Sequence, residues 1–534
     1  LKAGLQAAFA PQEGCVCDGA EVTASLHAQA MNFRIKLGAS FPDFLCETTQ
    51  GNFGFHEFLH REGSPAWTIL FSHPRDFTPV CTTELAICSA LALDFATAGV
   101  KLIGLSCGPV SEHLEWSKDV AAVRRSLPGV SEHAEPAGDE GPTGGDLMGF
   151  PLIADKAGQI ATMLGMLDPG ERDAEGNSMP ARALFLIGPD KTNRATILYP
   201  ATTGRNFVEI LRVIDSLFLT QDFRLATPGN WKPRARVIVC PGVSTEEAQD
   251  RFCNLEIKDL PSGKPYLRYV DCPRQPHPDV VAQTGTCEHV PCVQDFNIKI
   301  GAAFPDFECR TTQGDFMFHE FLSRAPAWTI LFSHPKDFTP VCTTELGICH
   351  TLAELFLEEG VKMIGLSCDS VESHRAWAQD VLALQGLRQE ATGPPLAFPL
   401  IADESREIAA RLGMLDPNER DATGVPLPAR ALFFIAPDRT NRATILYPAT
   451  TGRNFDEVLR VIRSLRLAQD AELCTPGNWK EGDRVIVGPS MSTEQALERF
   501  TNLETKDLPS KRSYLRYVDC PCDKVAWSPA GTGE

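Results

Sequence analysis

At 534 residues the chain is too long for one hydrophobic core and implies about three or four folded units. An apolar fraction of 43% with 8% aromatic residues is that of a globular protein, and no apolar run reaches the roughly 18 residues a membrane helix needs. The net charge of −19 argues against nucleic acid and anionic membrane as main partners, since both reward clustered Lys and Arg.

Residues 1–32 read as an N-terminal extension. The chain begins at Leu1 rather than Met, so a processed or truncated N-terminus is expected, with the cytoplasm as the compartment and an organelle left open. Eighteen cysteines fit a reducing compartment here, because disulfide-rich secreted proteins are short and poor in core. An α/β domain follows over 33–220. Thr68 to Ser72 is a short buried strand; Leu85, Cys88, Leu91 and Phe95 then recur at helical spacing, with Gly99 placed to end that helix. Further strands are predicted at 101–106, 152–154, 183–187 and 196–199, interleaved with helices near 112–123 and 206–218. Such alternation favours a sheet with helices packed on both faces. A small C-terminal domain is read over 221–272, containing TPGNW at 227–231 and ending near LRYVDC. A proline-rich linker occupies 273–294.

The order then repeats. FSHPRDFTPVCTTELAIC at 71–88 returns as FSHPKDFTPVCTTELGIC at 332–349, and TNRATILYPATTGRNF at 192–207 is identical to 440–455. FPDF, FPLIAD and TPGNW also recur, so whole modules are duplicated rather than a solenoid unit. The second copy gives domains at 295–468 and 469–520 and a tail at 521–534. The first copy has thirteen extra residues, in the acidic stretch SEHAEPAGDEGPTGGD, which can bury almost nothing and reads as a mobile loop.

Each copy sets one cysteine, Cys81 or Cys342, where a buried strand gives way to a proline-flanked loop and a helix. At a helix start the sulfur meets unpaired backbone N–H groups, which with a nearby cation favours the thiolate, the form that attacks a peroxide oxygen. Thr78, three residues earlier, can offer a hydroxyl to that oxygen.

The pattern Pro74, Thr78, Cys81, repeated as Pro335, Thr339, Cys342, resembles the active-site signature of the peroxiredoxins. The flanking FSHP, TTEL, LGMLDP, PAR and ILYPATTGRNF segments are similar to the 1-Cys subfamily, the peroxiredoxin six type, over about residues 33–270 and 296–518. The resemblance implies two thioredoxin-like domains in tandem, each followed by a small C-terminal peroxiredoxin domain, with Cys81 and Cys342 as peroxidatic nucleophiles. It implies that Arg182 and Arg430 bind substrate and stabilise the thiolate, and that His73 and His334 lie beside the sulfur. It gives Arg205 and Arg453 a supporting role in holding Glu84 and Glu345.

Taken alone, a cysteine in an apolar segment is usually inert, and Cys88, Cys349, Cys107 and Cys368 are expected to be core. The subfamily is also associated with phospholipase A2 activity. His56, His319, Asp190 and Asp438 match its histidine and aspartate, but Ala66 and Ala327 stand where the serine belongs, so no lipase is expected. GLSCG at 104–108 has the form of a nucleophile elbow, yet the second copy reads GLSCD, and a strand end is the better reading. The thiols Cys15, Cys17, Cys287, Cys292, Cys520 and Cys522 fit no standard zinc spacing; they are expected as disulfides or exposed thiols, one of which could resolve an active cysteine.

The expected activity is thus thiol-dependent reduction of hydrogen peroxide and organic or lipid hydroperoxides. It needs no metal or other cofactor, only an external thiol that the resemblance suggests is glutathione. The alternative is a redox-sensitive scaffold or holdase chaperone. Modules of this type dimerise, so an intramolecular pseudo-dimer or a homo-oligomer is expected.

Overall fold

The computed structural model describes residues 35–60, 67–127, 147–273, 298–325, 328–388 and 393–521. The N-terminal extension, the acidic loop, nearly all of the linker and tail, Ala66 and Ala327, and Cys15, Cys17, Cys287, Cys292 and Cys522 lie outside them.

The first module is built on β1 (Trp67–Ser72), α1 (Pro79–Ala90), β2 (Val100–Ser106), α2 (Val110–Arg125), β3 (Leu152–Ala154), β4 (Arg182–Ile187), β5 (Asn193–Tyr199) and α3 (Phe207–Phe223). β1 pairs parallel to β2 and antiparallel to β4; β2 pairs parallel to β3, and β4 antiparallel to β5. Successive residues of β1 face opposite layers, as the period of a strand requires. Ile69 and Phe71 pack with α1, α2 and α3, while Leu70 packs with Phe41, Phe55 and Phe58 on the other side. Both faces are covered, and every residue of β1 is buried.

The second module repeats this order as β6 (Trp328–Ser333), α4 (Pro340–Thr351), β7 (Val361–Ser367), α5 (Val371–Leu384), β8 (Leu400–Ala402), β9 (Arg430–Ile435), β10 (Asn441–Tyr447) and α6 (Phe455–Ala471). β10 then pairs antiparallel with β5, Ile445 opposite Ile197, which joins both modules into one twelve-stranded sheet. A single buried cluster containing Trp67, Tyr199, Trp328 and Tyr447 runs across the join.

Two expectations are corrected. The helix from Leu85 through Phe95 is not continuous: α1 stops at Ala90, Leu91 leaves helical geometry at φ −93° and ψ 1°, and a separate short helix spans Ala92–Thr97. The apolar spacing carries across the break because Leu85, Cys88 and Phe95 still reach the same core. Cys107 and Cys368 are only half-buried, since the strands before them end at Ser106 and Ser367.

α3 and α6 run three residues past the seams read at 220 and 468. Each is followed by a small antiparallel four-stranded sheet, one from Leu225–Ala226 to Arg268–Val270 and the other from Leu473–Cys474 to Arg516–Val518. These sheets are exchanged. Thr227 of the first TPGNW donates its N–H to Thr450 and accepts from Gly452, while Thr475 of the second bonds Thr202 and Gly204 in the same way. Asn230 and Asn478 then accept from the backbone N–H groups of Phe455 and Phe207 at the starts of α6 and α3.

Candidate active site

Cys81 is the third residue of α1. Thr78 is the N-cap, with extended backbone, and Pro79 takes the first helical position, where its missing N–H costs nothing. Phe77 before them is held at φ 52°, and Phe338 likewise, a left-handed conformation that a phenylalanine adopts only when its surroundings impose it. This bend turns the chain from β1 into the helix, so that Cys81 is fully buried at the helix start.

Arg182, the first residue of β4, reaches the sulfur from the sheet. Its Nη1 donates to Cys81 Sγ at 3.3 Å and to Glu84 at 2.7 Å, while Nε and Nη2 are held by the Ala201 carbonyl at 2.9 and 2.6 Å. Arg205 closes the other side of Glu84 through its backbone N–H, Nε and Nη2 at 2.6–2.9 Å. Burial pushes the Glu84 carboxyl up, but the two guanidinium groups outweigh it and hold the group at about 2, ionised throughout the physiological range. The second module reproduces the set: Arg430 donates to Cys342 Sγ at 3.4 Å and to Glu345 at 2.6 Å, and Arg453 binds Glu345. Glu345 is likewise held at about 2.

His73 follows β1, with its Nε2 3.0 Å from Asp76 and its Nδ1 without a partner among the described residues. Burial disfavours its charged form. Asp76 is shared with His113 of α2, whose Nδ1 lies 2.5 Å away, and with Ser106. Burial raises the Asp76 carboxyl, and its bonds to the two histidines more than reverse this, to about 2. Pro74 is buried in the turn after His73, and Thr78 Oγ1 donates to the Arg75 carbonyl at 2.7 Å, leaving its lone pairs free to accept. Pro335, Thr339 and His334 occupy the matching places, with Thr339 donating to Lys336.

The aspartate and second histidine were missed in the sequence. Their signal was the repeat itself, because Asp76 returns as Asp337 and His113 as His374, 37 residues from its aspartate in both copies. The two sites differ at neighbouring positions, among them Ser373, which donates to Asp337 at 2.7 Å where the first module has Glu112. Asp369 takes the place of Gly108, accepts the Asp337 N–H at 2.8 Å, and helps raise His374, an effect due mainly to the Asp337 bond working against burial. Among the described residues, His334, Asp337 and His374 have metal-ligand spacing, their donor atoms lying within 4.8 Å of one another. Asp337 bonds both histidines, at 3.0 and 2.8 Å.

The other thiols have no such setting. Burial pushes Cys88 and Cys349 well above the ordinary thiol range, and Cys107 and Cys368 up to about 12. Cys520 is held in a disulfide. Ser106 donates to Asp76 and is buried, which is the strand-end role expected for GLSCG. His56 contacts the Phe41 carbonyl and Lys191, while Asp190 bonds Thr192 and Arg194; His319 likewise contacts the Phe304 carbonyl and Arg439, and Asp438 bonds Thr440 and Arg442.

A cavity of about 450 Å³ opens at the start of α1, lined by Phe77, Thr78 and Pro79 from one module and by Met491, Arg512 and Tyr514 from the other. The Tyr514 hydroxyl lies 3.1 Å from Thr82 and donates to Asp119, and Arg512 stacks on the Phe77 ring at 3.7 Å. Tyr266 and Lys264 make the equivalent contacts at Thr343, Asp380 and Phe338.

A cysteine at a helix start, met by a buried arginine on a thioredoxin-like sheet, is the arrangement of a thiol-dependent peroxidase. The AhpC/TSA family profile matches residues 37–195 and 300–443, more than half of the chain, and the chain belongs to that family, as a duplicated 1-Cys peroxiredoxin module. Peroxiredoxin-6 of Gallus gallus is 52% identical over 225 residues, covering 42% of this chain and 98% of the relative. Peroxiredoxin-6 of Homo sapiens is 50% identical over the same shares. A crystal structure of a mutant peroxiredoxin 6 from Arenicola marina is 50% identical with a TM-score of 0.40, covering 45% of this chain and all of that one.

Proposed function

We propose that Cys81 and Cys342 are the peroxidatic cysteines of two complete sites that reduce hydrogen peroxide and organic or lipid hydroperoxides. The observation that carries this is the Arg182 guanidinium, which touches Cys81 Sγ and Glu84 together and is matched by Arg430 in the second module.

The thiolate attacks one peroxide oxygen along the O–O axis, the O–O bond breaks, and the other oxygen leaves as an anion that takes a proton to become water or an alcohol. Arg182 Nη1 sits where it stabilises negative charge first on sulfur and then on the oxygens; being fixed beforehand by Ala201 and Glu84, it does not reorganise during the step. The Thr78 hydroxyl, its own proton committed to Arg75, accepts from the peroxide O–H. The cavity shares Thr78 with the site and sets Phe77, Pro79 and Met491 beside the polar Ser492, Thr493 and Arg512, and in this reading it is the entry for hydrogen peroxide and organic hydroperoxides. The sulfenic acid then returns to thiol through an external thiol donor, for which glutathione is the proposed compound.

Peroxide consumption with glutathione tests the reading. Cys81→Ser and Cys342→Ser should each remove one site's share of turnover, and the double variant all of it. Undiminished turnover in the double variant would place the chemistry elsewhere.

A further inference from the structure

The segment LATPGNW at 225–231 returns as LCTPGNW at 473–479, so Cys474 stands where the first module has Ala226. Because the small sheets are exchanged, Cys474 faces the other module's site. It packs with Val80, the residue before Cys81, in a buried cluster with Ile486, Leu508 and Leu515. The next residue, Thr475, donates its N–H to Thr202 at 3.0 Å and accepts from Gly204 at 3.1 Å. That loop also carries Ala201, whose carbonyl holds Arg182 against Cys81. Further on, Gly477 donates to Thr83 Oγ1 at 3.1 Å. The segment 474–477 therefore lies along the first turn of α1.

We propose that Cys474 is the resolving thiol for Cys81, closing the catalytic cycle with a disulfide between the two modules. The inference rests on Cys81 being the peroxidatic cysteine. Peroxide converts the Cys81 thiolate to a sulfenic acid; Cys474 sulfur then attacks Cys81 sulfur, the S–O bond breaks, and the hydroxyl leaves as water with the Cys474 proton. Two molecules of an external thiol later reduce the disulfide and are oxidised to one disulfide themselves.

Closing the link requires Cα atoms about 4.4–6.8 Å apart and the Cys81 sulfur released from Arg182, and the first turn of α1 is proposed to loosen to allow this. Pro79 has no N–H to lose in that opening, and the bonds that must break include those from the Thr82 N–H and Thr82 Oγ1 to the Thr78 carbonyl and from Thr83 Oγ1 to the Val80 carbonyl. While the turn is formed, burial keeps the Cys474 thiol up at about 12, with Arg182, Glu171 and Cys81 as its charged neighbours. The thiol thus stays protonated until opening exposes it.

At the second site Ala226 takes the place of Cys474 beside Val341, and Cys240, which borders the same cluster, does not have Cys342 among its charged neighbours as Cys474 has Cys81. On this proposal Cys342 works as a single-cysteine site.

The test treats the reduced full-length chain with one equivalent of hydrogen peroxide per site, traps it with dimedone and a thiol-blocking maleimide, and maps peptides without reduction. The expected result is a peptide pair linked through Cys81 and Cys474, with the dimedone adduct on Cys342. Cys474→Ala, which copies the first module's own residue and so suits the fold, should abolish the linked pair and move dimedone onto Cys81. Equal dimedone labelling of Cys81 in wild type and Cys474→Ala, or a link from Cys81 to another cysteine, overturns the proposal while leaving Cys81 peroxidatic. A Cys81 that peroxide never oxidises overturns both.

Discussion

Glu84 and Glu345 are where each site is most exposed to a single change. Each carboxylate joins two buried arginines, and removing one partner of such a group strands the others without water. Glu84→Gln is expected to cost about 3–5 kcal/mol in urea unfolding, by analogy with other broken buried pairs. Both carboxyls are held near 2 in the folded state against an ordinary 4.5, so their contribution is complete above about pH 4.5 and is lost as pH falls towards 2. An unfolding midpoint that stays constant through that window in wild type would contradict this. The histidine pair bonded to Asp76 or Asp337 offers a comparison between the copies. Asp369 helps raise His374, whereas Gly108 offers His113 no carboxylate. Asp369→Gly should move the His374 imidazole titration down, read by NMR; an unmoved titration would show that Asp337 alone sets it.

At the scale of elements, the close approach of the exchanged segments makes a sharper demand than the helices do. A Cβ on Gly204 would lie 2.4 Å from the backbone of Pro476, and one on Gly452 2.3 Å from that of Pro228. Neither neighbour is a flexible side-chain end, so Gly204→Ala must push the 475–477 segment away, at an expected cost of about 1–3 kcal/mol. Hydrogen exchange at the Thr475 amide, which bonds Thr202, should quicken while the mirror amide of Thr227 stays protected; equal protection in the variant would refute the clash. The elements themselves were largely legible. Val100–Ser106 and Arg182–Ile187 begin one residue before their predicted starts, and the buried runs in both are continuous or nearly so. The hairpin Leu45–Thr48 with Gly51–Gly54 went unread because it is short, glycine-bounded and mixed in exposure. Cys81, Arg182 and Glu84 were legible through their motifs. Tyr514 and Cys474 were not, because their meaning depends on which module they face, and local spacing carries no information about an exchange of small sheets.

For the whole molecule, the question is what the covalent connection between the modules contributes. Four sets of contacts join them without it: the β5–β10 pairing, the exchanged TPGNW segments, the reciprocal bonds of Tyr199 to Glu457 and Tyr447 to Glu209, and the tyrosines Tyr266 and Tyr514 set over the opposite sites. Glu209 and Glu457 are themselves tied to Arg212 and Arg460, and all four are buried, so separation would expose charged groups along with the apolar seam of the sheet. An interface of this kind resembles a domain core cut in two, which is the character of obligate association. A protease site inserted between Cys272 and Gln294 and cut in the folded protein should therefore leave the halves together on gel filtration. Peroxidase turnover should survive the cut, since Arg512 and Tyr514 still reach the cavity at Phe77, Thr78 and Pro79, and Lys264 and Tyr266 still reach Phe338 and Thr343. Elution as two separate halves would mean that the linker, and not this interface, holds the sites in register.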